Sequence, residues 1–396
     1  MNAPARINSA LSVREQFPAI ENWHYLDSAA TAQKPQAVID AIHDSYARDY
    51  ATVHRGVYQR SSEMTGRYEA AREAAAGLIG GDAGELVFAR GATEAINLVA
   101  RSLPKGGRNR VLLSALEHHS NIVPWQLAGY EIDVCPLTSD GNIDLDAAEA
   151  MLTDDHCVVG FAHVSNVLGS VLDARRAADI AHSKGALLLL DGCQAVPRVA
   201  VNIGNIGADF YAFSGHKLYG PTGIGCLWGR AELLDSMPPL QGGGAMIDSV
   251  RFDGSTYLPA PQRFEAGTPH IVGAIGLHAA INWVQGLGLD AIHAHESALV
   301  SECRSALQAV GGVTLYGPED SAGIVSFNVD GVHAHDTATI LDDAGVAVRA
   351  GHHCAQPLME ALGVPATARA SFAAHSDGSD VEALVRGIEQ VKRIFG

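Results

Sequence analysis

Positive charge is scarce in this 396-residue chain: 27 Lys and Arg stand against 44 Asp and Glu, a formal net charge of −17. A polyanion binds through a basic footprint that displaces its counterions, so nucleic acid is not expected as a partner. Long apolar runs are missing too. The longest compact one is Ala186 to Leu190, far short of the roughly 18 to 20 residues that a bilayer-spanning helix needs, and no membrane association is expected. The start, MNAPARINSALSVREQF, has no apolar stretch of signal-peptide length, so export is not expected either. Cysteine is sparse, with six residues at 135, 157, 193, 226, 303 and 354 and no CxxC. That spacing excludes a zinc ribbon, a thioredoxin-type pair and a disulfide scaffold, and it fits a reducing cytoplasm. Histidine is plentiful at 18, yet no HExxH or similar helix-borne spacing occurs, and no metal is expected.

What is present suits a large folded core. Apolar residues make up 47% and charged residues 18%, too apolar a balance for a disordered chain. The length allows two or three domains, or a large one with a smaller companion. No repeat or low-complexity tract intervenes. Strand-like runs at Leu86 to Ala89, Val111 to Ser114, Ile132 to Cys135, Val158 to Ala162, Ala186 to Leu190, Asp209 to Phe213 and Gly225 to Trp228 alternate with helical patterns. Among those helices are residues 36 to 50, Thr93 to Ser102, Leu145 to Leu152 and Ala174 to Ser183. Short, fully apolar strands between helices require a mostly parallel sheet covered on both faces, so the fold class is α/β. After about residue 280 the pattern turns more helical, with Ala279 to Leu287 and Ile292 to Val310, then strand-like Ile324 to Val329 and Ala347 to Arg349. An amphipathic helix over Asp380 to Phe395 closes a smaller α+β domain.

In such sheets polar chemistry gathers beyond the carboxyl ends of the strands. Lys217, in FSGHKLYGPTGIG, follows a strand among Ser214, His216 and glycines. It is either a solvated loop charge or a desolvated amine suited to a Schiff base with an aldehyde. Asp191 follows four leucines and is either a turn or N-cap aspartate, or a carboxylate beside a cation such as a protonated ring nitrogen. Gln194 lies three residues on, within reach of the same ligand if a turn begins there. Thr93, in RGATEAINLV, either caps a helix or joins its free amides in a phosphate cradle. His118 is a core histidine or an imidazole that stacks on an aromatic ligand.

Together these motifs resemble aminotransferase class V, and within it the group II cysteine desulfurases of the SufS/CsdA kind. The strings YLDSAATAQKP, HRG, GATEAINLVA, LEHHSNIVPWQ, HVSNVLG, DGCQAVP, FSGHKLYGPTGIG, EAGTP, RAGHHCAQPLM and RASF follow that family's order. The resemblance implies the fold type I of pyridoxal-phosphate (PLP) enzymes. A large domain over 15–280 would carry a mostly parallel seven-stranded sheet, with a small α+β domain from 1–14 and 281–396. It implies that Lys217 carries pyridoxal 5'-phosphate, Asp191 pairs with its ring nitrogen, His118 stacks on the ring and Gln194 bonds the phenolic oxygen. Thr93, Ser214 and His216 would hold the phosphate, with Thr268 reaching in from the neighbouring subunit of a homodimer. Asn166, Ala29 and Arg369 would receive the substrate, Arg369 as a fork on its carboxylate.

Cys354, in the short RAGHHCAQP loop, would be the catalytic thiol, whereas Cys157 and Cys226 read as small core residues. The implied reaction takes L-cysteine to L-alanine and leaves a persulfide on Cys354 for an acceptor protein of the SufE or SufU type, in iron–sulfur cluster assembly. A selenocysteine lyase or cysteine sulfinate desulfinase needs the same apparatus, and a catalytically silent scaffold of this fold is the reading from another class. One departure stands out. After RASF many relatives continue with Tyr-Asn-Thr, whereas here Ala373 to Asp377 follows, a change expected at the active-site rim near Arg369 or at an acceptor's docking face.

Overall fold

The computed structural model describes residues 11–395, so residues 1–10 of the expected small domain lie outside the described residues. Seven strands form the central sheet: β1 (Leu86–Ala89), β2 (Arg110–Ser114), β3 (Glu131–Cys135), β4 (His156–Ala162), β5 (Leu187–Asp191), β6 (Phe210–Ser214) and β7 (Gly225–Gly229). Their order is β1-β7-β6-β5-β4-β2-β3, and only β7 runs antiparallel to its neighbours. The sheet is α/β and mostly parallel, as its apolar strands require. Every residue of β4 and β6 is buried, because helices cover both faces. The helix Ala174–Ser183 shows how a covering element is specified. Its Ala177, Ala178 and Ala181 are buried, its arginines face water, and Asp173 caps it by accepting the Arg176 N–H at 3.0 Å.

Register brings the strand ends to one level. Ala162 pairs with Asp191 and Asp191 with Ala212, and Ser214 lies two residues beyond. Gly225 lets β7 pass close to the turn before the helix Ala92–Ser102: a Cβ there would stand 2.5 Å from the Gly91 Cα. The helix N-terminus therefore meets the end of β6.

A second, antiparallel sheet of β8 (Val313–Tyr316), β9 (Ile324–Val329), β10 (Arg349–Gly351) and β11 (Thr367–Ser371) has the order β8-β9-β11-β10. It packs on the helices Leu289–Val310, Ala334–Asp343 and Gly378–Phe395 through a separate core that includes Leu299, Phe327, Leu341, Leu384 and Ile388. Leu26 belongs to that same core. His24–Tyr25 pairs in parallel with Val346–Ala347, and Asp27 bridges to Ser371.

Three expectations change in detail. The strand read over Ala347 to Arg349 is two strands in different sheets, Val346–Ala347 and β10, because the chain turns from one partner to another at Val348. The helix read over 36 to 50 is α-helical only over Gln36–Asp44, and a wider π turn carries Ser45–Asp49. Ala373 to Ser376 are buried, 1 to 2% exposed, with His375 packed against Phe17 at 5.0 Å, so these four residues of the departure form core and only Asp377 is partly exposed. Among the described residues no single helix is long and apolar enough to cross a membrane.

Candidate active site

Lys217, Asp191, His118, Thr93, Ser214, His216, Asn166, Arg369 and Ala29 all line one cleft. It lies beyond the carboxyl ends of the parallel strands, where sheet geometry leaves a crevice. Lys217 ends the turn Gly215–Lys217 that follows β6, and its half-buried amine makes no hydrogen bond or ion pair among the described residues. Asp191 is 7% exposed, and Oδ1 accepts the Cys193 N–H at 3.0 Å. This turn contact is the ordinary role of such an aspartate. No cation is paired to the carboxylate among the described residues, so its charge is left for a ligand.

The anion end of the cleft is built from a helix start. Gly91, not Thr93, is the N-cap of Ala92–Ser102, and it supplies no capping side chain. The first-turn amides thus lack intrahelical acceptors and attract negative charge. Ala92 N–H goes to Ser214 Oγ at 2.9 Å, and Cys193 Sγ donates to the same oxygen at 3.5 Å. With both lone pairs engaged, the Ser214 proton is the part left to donate outward. Thr93 Oγ1 shares a 2.7 Å bond with Ser120 Oγ.

Two imidazoles flank this region as neutral rings. Burial, then the Lys217 charge, push His118 down to about 4, against the pull of Asp191. Its Nδ1 accepts the Ser120 N–H at 3.0 Å, so Nε2 carries the proton. Burial first, then Lys217 and Lys34, lower His216 to about 4, and its Nδ1 meets Thr31 Oγ1 at 3.2 Å.

At the opposite end Arg369, on β11, is 1% exposed. Its Nη1 donates to the Asn166 carbonyl at 2.7 Å and its Nη2 to Asp27 Oδ1 at 2.8 Å, while Nε is buried without a partner. Burial lowers its pKa to about 10, which leaves it a cation at neutral pH. Arg349 is its cross-strand partner and lines the same cleft. Sequence reasoning assigned Arg349, His353 and Cys193 no part in the cleft. For Arg349 the only signal was its place five residues before Cys354.

Cys354 is the one cysteine among the described residues that is not buried. It stands beside the cleft, not in its lining, next to His353 and Arg349, with Arg349 Nη2 3.6 Å from its Sγ. His353 and Cys354 both take left-handed backbone, φ 53° and 57°, unusual for residues with a Cβ. The strain is held by contacts from the large sheet: His119 N–H to the Cys354 carbonyl at 2.7 Å, Asn166 Nδ2 to the His353 carbonyl at 2.8 Å, and the Gln356 N–H to His119 Nε2 at 3.1 Å.

Besides Cys354, two expected residues fall outside the cleft. Gln194 is buried behind it, its Nε2 donating to the Ala29 carbonyl at 2.7 Å. Thr268 is exposed and lines a different cavity with Phe88, Glu265 and His270. Its segment is anchored by Glu265, which accepts from Phe88 N–H, Arg72 and Tyr68. The arrangement as a whole can hold an aldehyde by an amine, an anion at a helix start and a carboxylate on a buried guanidinium.

The aminotransferase class-V model matches residues 24–384. A probable cysteine desulfurase of Halobacterium salinarum is 46% identical, covering 97% of this chain and 97% of the relative. The solved cysteine desulfurase CsdA of Escherichia coli superposes with a TM-score of 0.91 at 40% identity, over 97% of this chain and 98% of the other. The apo cysteine desulfurase of Thermococcus onnurineus gives 0.93 at 38% identity, over 99% and 100%.

Proposed function

This chain belongs to the aminotransferase class-V family, and from that premise we propose that it is a cysteine desulfurase dependent on pyridoxal phosphate, taking L-cysteine to L-alanine. The observation that carries the reading is the unpartnered Lys217 amine in one cleft with Asp191 and the buried Arg369, the only unburied described cysteine standing at the rim. The donor set fits the cofactor. Lys217 would hold its aldehyde, Asp191 its ring nitrogen, and Ser214, Thr93, His216 and the first amides of the helix Ala92–Ser102 its phosphate. When bound, it supplies a carbonyl for covalent attachment and a protonated ring that draws electrons from the substrate.

The chain's own residues do the rest. Arg369 takes the substrate carboxylate, with Asn166 and Asp27 fixing its plane. Lys217 Nζ, freed when the substrate amine takes its place, is the base for the substrate Cα proton, and neutral His118 has its Nε2 proton to give. Cys354 Sγ attacks the substrate sulfur: an S–S bond forms as the C–S bond breaks, the electron pair stays with the three-carbon fragment, and that fragment gains a proton to end as alanine. Arg349 Nη2 lies 3.6 Å from Cys354 Sγ, a donor at the attacking sulfur. The sulfur leaves as sulfane sulfur for an acceptor protein, in iron–sulfur cluster assembly in the cytoplasm. We further propose a homodimer in which exposed Thr268 completes the partner's phosphate site, and a division of the chain near residue 280 into two domains, with the segment around Leu26 joining the second.

L-cysteine and a reductant added to purified protein should yield alanine and sulfide. Lys217→Ala should lose the covalent chromophore, and Cys354→Ala should keep it but release no sulfur from cysteine. Cysteine turnover that survives Cys354→Ala sinks the persulfide route, and selenocysteine turnover without cysteine turnover in the wild type points to the lyase instead.

A further inference from the structure

Gln194 is buried with both ends of its carboxamide engaged. Nε2 donates to the Ala29 carbonyl at 2.7 Å, and Oε1 accepts from Arg198 Nη1 at 2.8 Å. A guanidinium only donates and a carbonyl only accepts, so the orientation of this amide is determined from both sides. Turned over, it would set donor against donor and acceptor against acceptor. Its second Nε2 proton has no partner among the described residues, while Arg198 occupies its oxygen.

Arg198 is itself held. Its Nε lies 3.1 Å from Glu296 Oε2, Nη1 also reaches the Gln194 carbonyl at 3.3 Å, and Nη2 the Phe372 carbonyl at 3.4 Å. Arg198 and Glu296 are each 2% exposed, a buried pair in which the guanidinium favours the carboxylate while burial opposes its charge and raises Glu296 to about 7. Glu296 comes from the helix Leu289–Val310, which belongs to the second layer of the molecule, so the pair ties that layer to the back of the cleft. Gly323, before β9, leaves the space they need: φ is 66°, and a Cβ there would collide with Glu296 Oε2 and Arg198 Nε.

We propose that Arg198 and Glu296 are positioning residues that lock the Gln194 amide as a hydrogen-bond donor toward the cofactor. The inference rests on the reading of the cleft as a pyridoxal-phosphate site, with the phenolic oxygen of the ring as the acceptor. A donor there stabilises negative charge on that oxygen, and so favours the form of the bound chromophore that has lost its proton. Losing the lock lets the amide present its oxygen, and the proton is held to higher pH.

The test is the pH titration of the visible band of the holoenzyme. Arg198→Met with Glu296→Gln removes the pair without stranding a buried charge, and the midpoint should rise by roughly half a pH unit or more, the scale of a hydrogen bond to a charged group. Should that double variant not fold, Arg198→Lys carries the same test, because it keeps a cation beside Glu296 but replaces the planar fork with one nitrogen. A folded variant with an unmoved midpoint and only a lower melting temperature gives the pair a purely structural role and overturns the proposal. A wild-type protein that forms no visible band with pyridoxal phosphate overturns it together with the cofactor reading. A wild-type band with an unmoved variant midpoint brings down the positioning role alone.

Discussion

Individual side chains here are committed by what already surrounds them. Arg369 spends one nitrogen on a backbone carbonyl and one on Asp27, so a carboxylate must use the remaining protons of a plane fixed in advance. Lysine keeps the charge and loses the plane. Arg369→Lys is therefore expected to raise KM for cysteine at least roughly tenfold, with the visible band intact; an unchanged KM places the substrate elsewhere. Asp191 acts through charge. Asp191→Asn keeps the shape and the Cys193 turn, and kcat should fall by about a hundredfold or more, the usual cost of losing one preorganised charge partner. Turnover rates of the two proteins, both loaded with cofactor, decide it.

Elements show which parts of this arrangement a sequence can carry. The strand LLLLD and the helix Ala174–Ser183 were readable because their burial pattern is local. The site residues that follow strands were readable for the same reason, since Asp191, Ser214 and Lys217 inherit their place from the apolar run before them. Arg349 was not. Its presence in the cleft comes from pairing with Arg369 across β10 and β11, a contact between segments whose register no local pattern states. Gln194 was placed near the ligand by its spacing from Asp191, but its partners lie on distant elements, so the lock on its amide was invisible. The hairpin Ile247–Arg251 with Gly254–Tyr257 was also missed, because its residues are mostly exposed and carry no apolar alternation. The loop of Cys354 is a further case: three hydrogen bonds from remote segments hold two left-handed residues. Asn166→Ala removes one of them. Persulfide formation should then slow, while alkylation of Cys354 by iodoacetamide accelerates, each by roughly tenfold if one bond's worth of order is lost. Equal alkylation rates would falsify the idea that these bonds restrain the thiol.

The whole molecule carries a pH signature from its buried histidines. Burial lowers His163 to about 4, His353 to about 3 and His375 to about 4. The unfolded chain, with ordinary values near about 6.5, binds more protons below that pH. Their contribution to stability is thus complete above about pH 6.5 and is lost as pH falls toward about 4. Glu117 and Glu296, raised to about 7 by burial, act in the opposite sense, their contribution fading as pH rises from about 4.5 through 7. With His118 and His216, also lowered to about 4, five histidines outweigh two carboxyls, so the melting temperature should climb between pH 4 and 6.5. His375→Gln should flatten that climb, and a slope identical to wild type removes His375 from the set. Assembly is testable at the same scale: a dimer in sedimentation, with Thr268→Ala weakening cofactor retention but not association, is the expected pair of results. The early segment Leu26–Asp27 is threaded into the second layer, between Ala347 and Ser371. During synthesis, the seven-stranded layer can close long before residue 371 leaves the ribosome, but the groove that grips a substrate cannot. A chain cut before residue 354 would thus carry the lysine with neither the thiol nor the arginine in place.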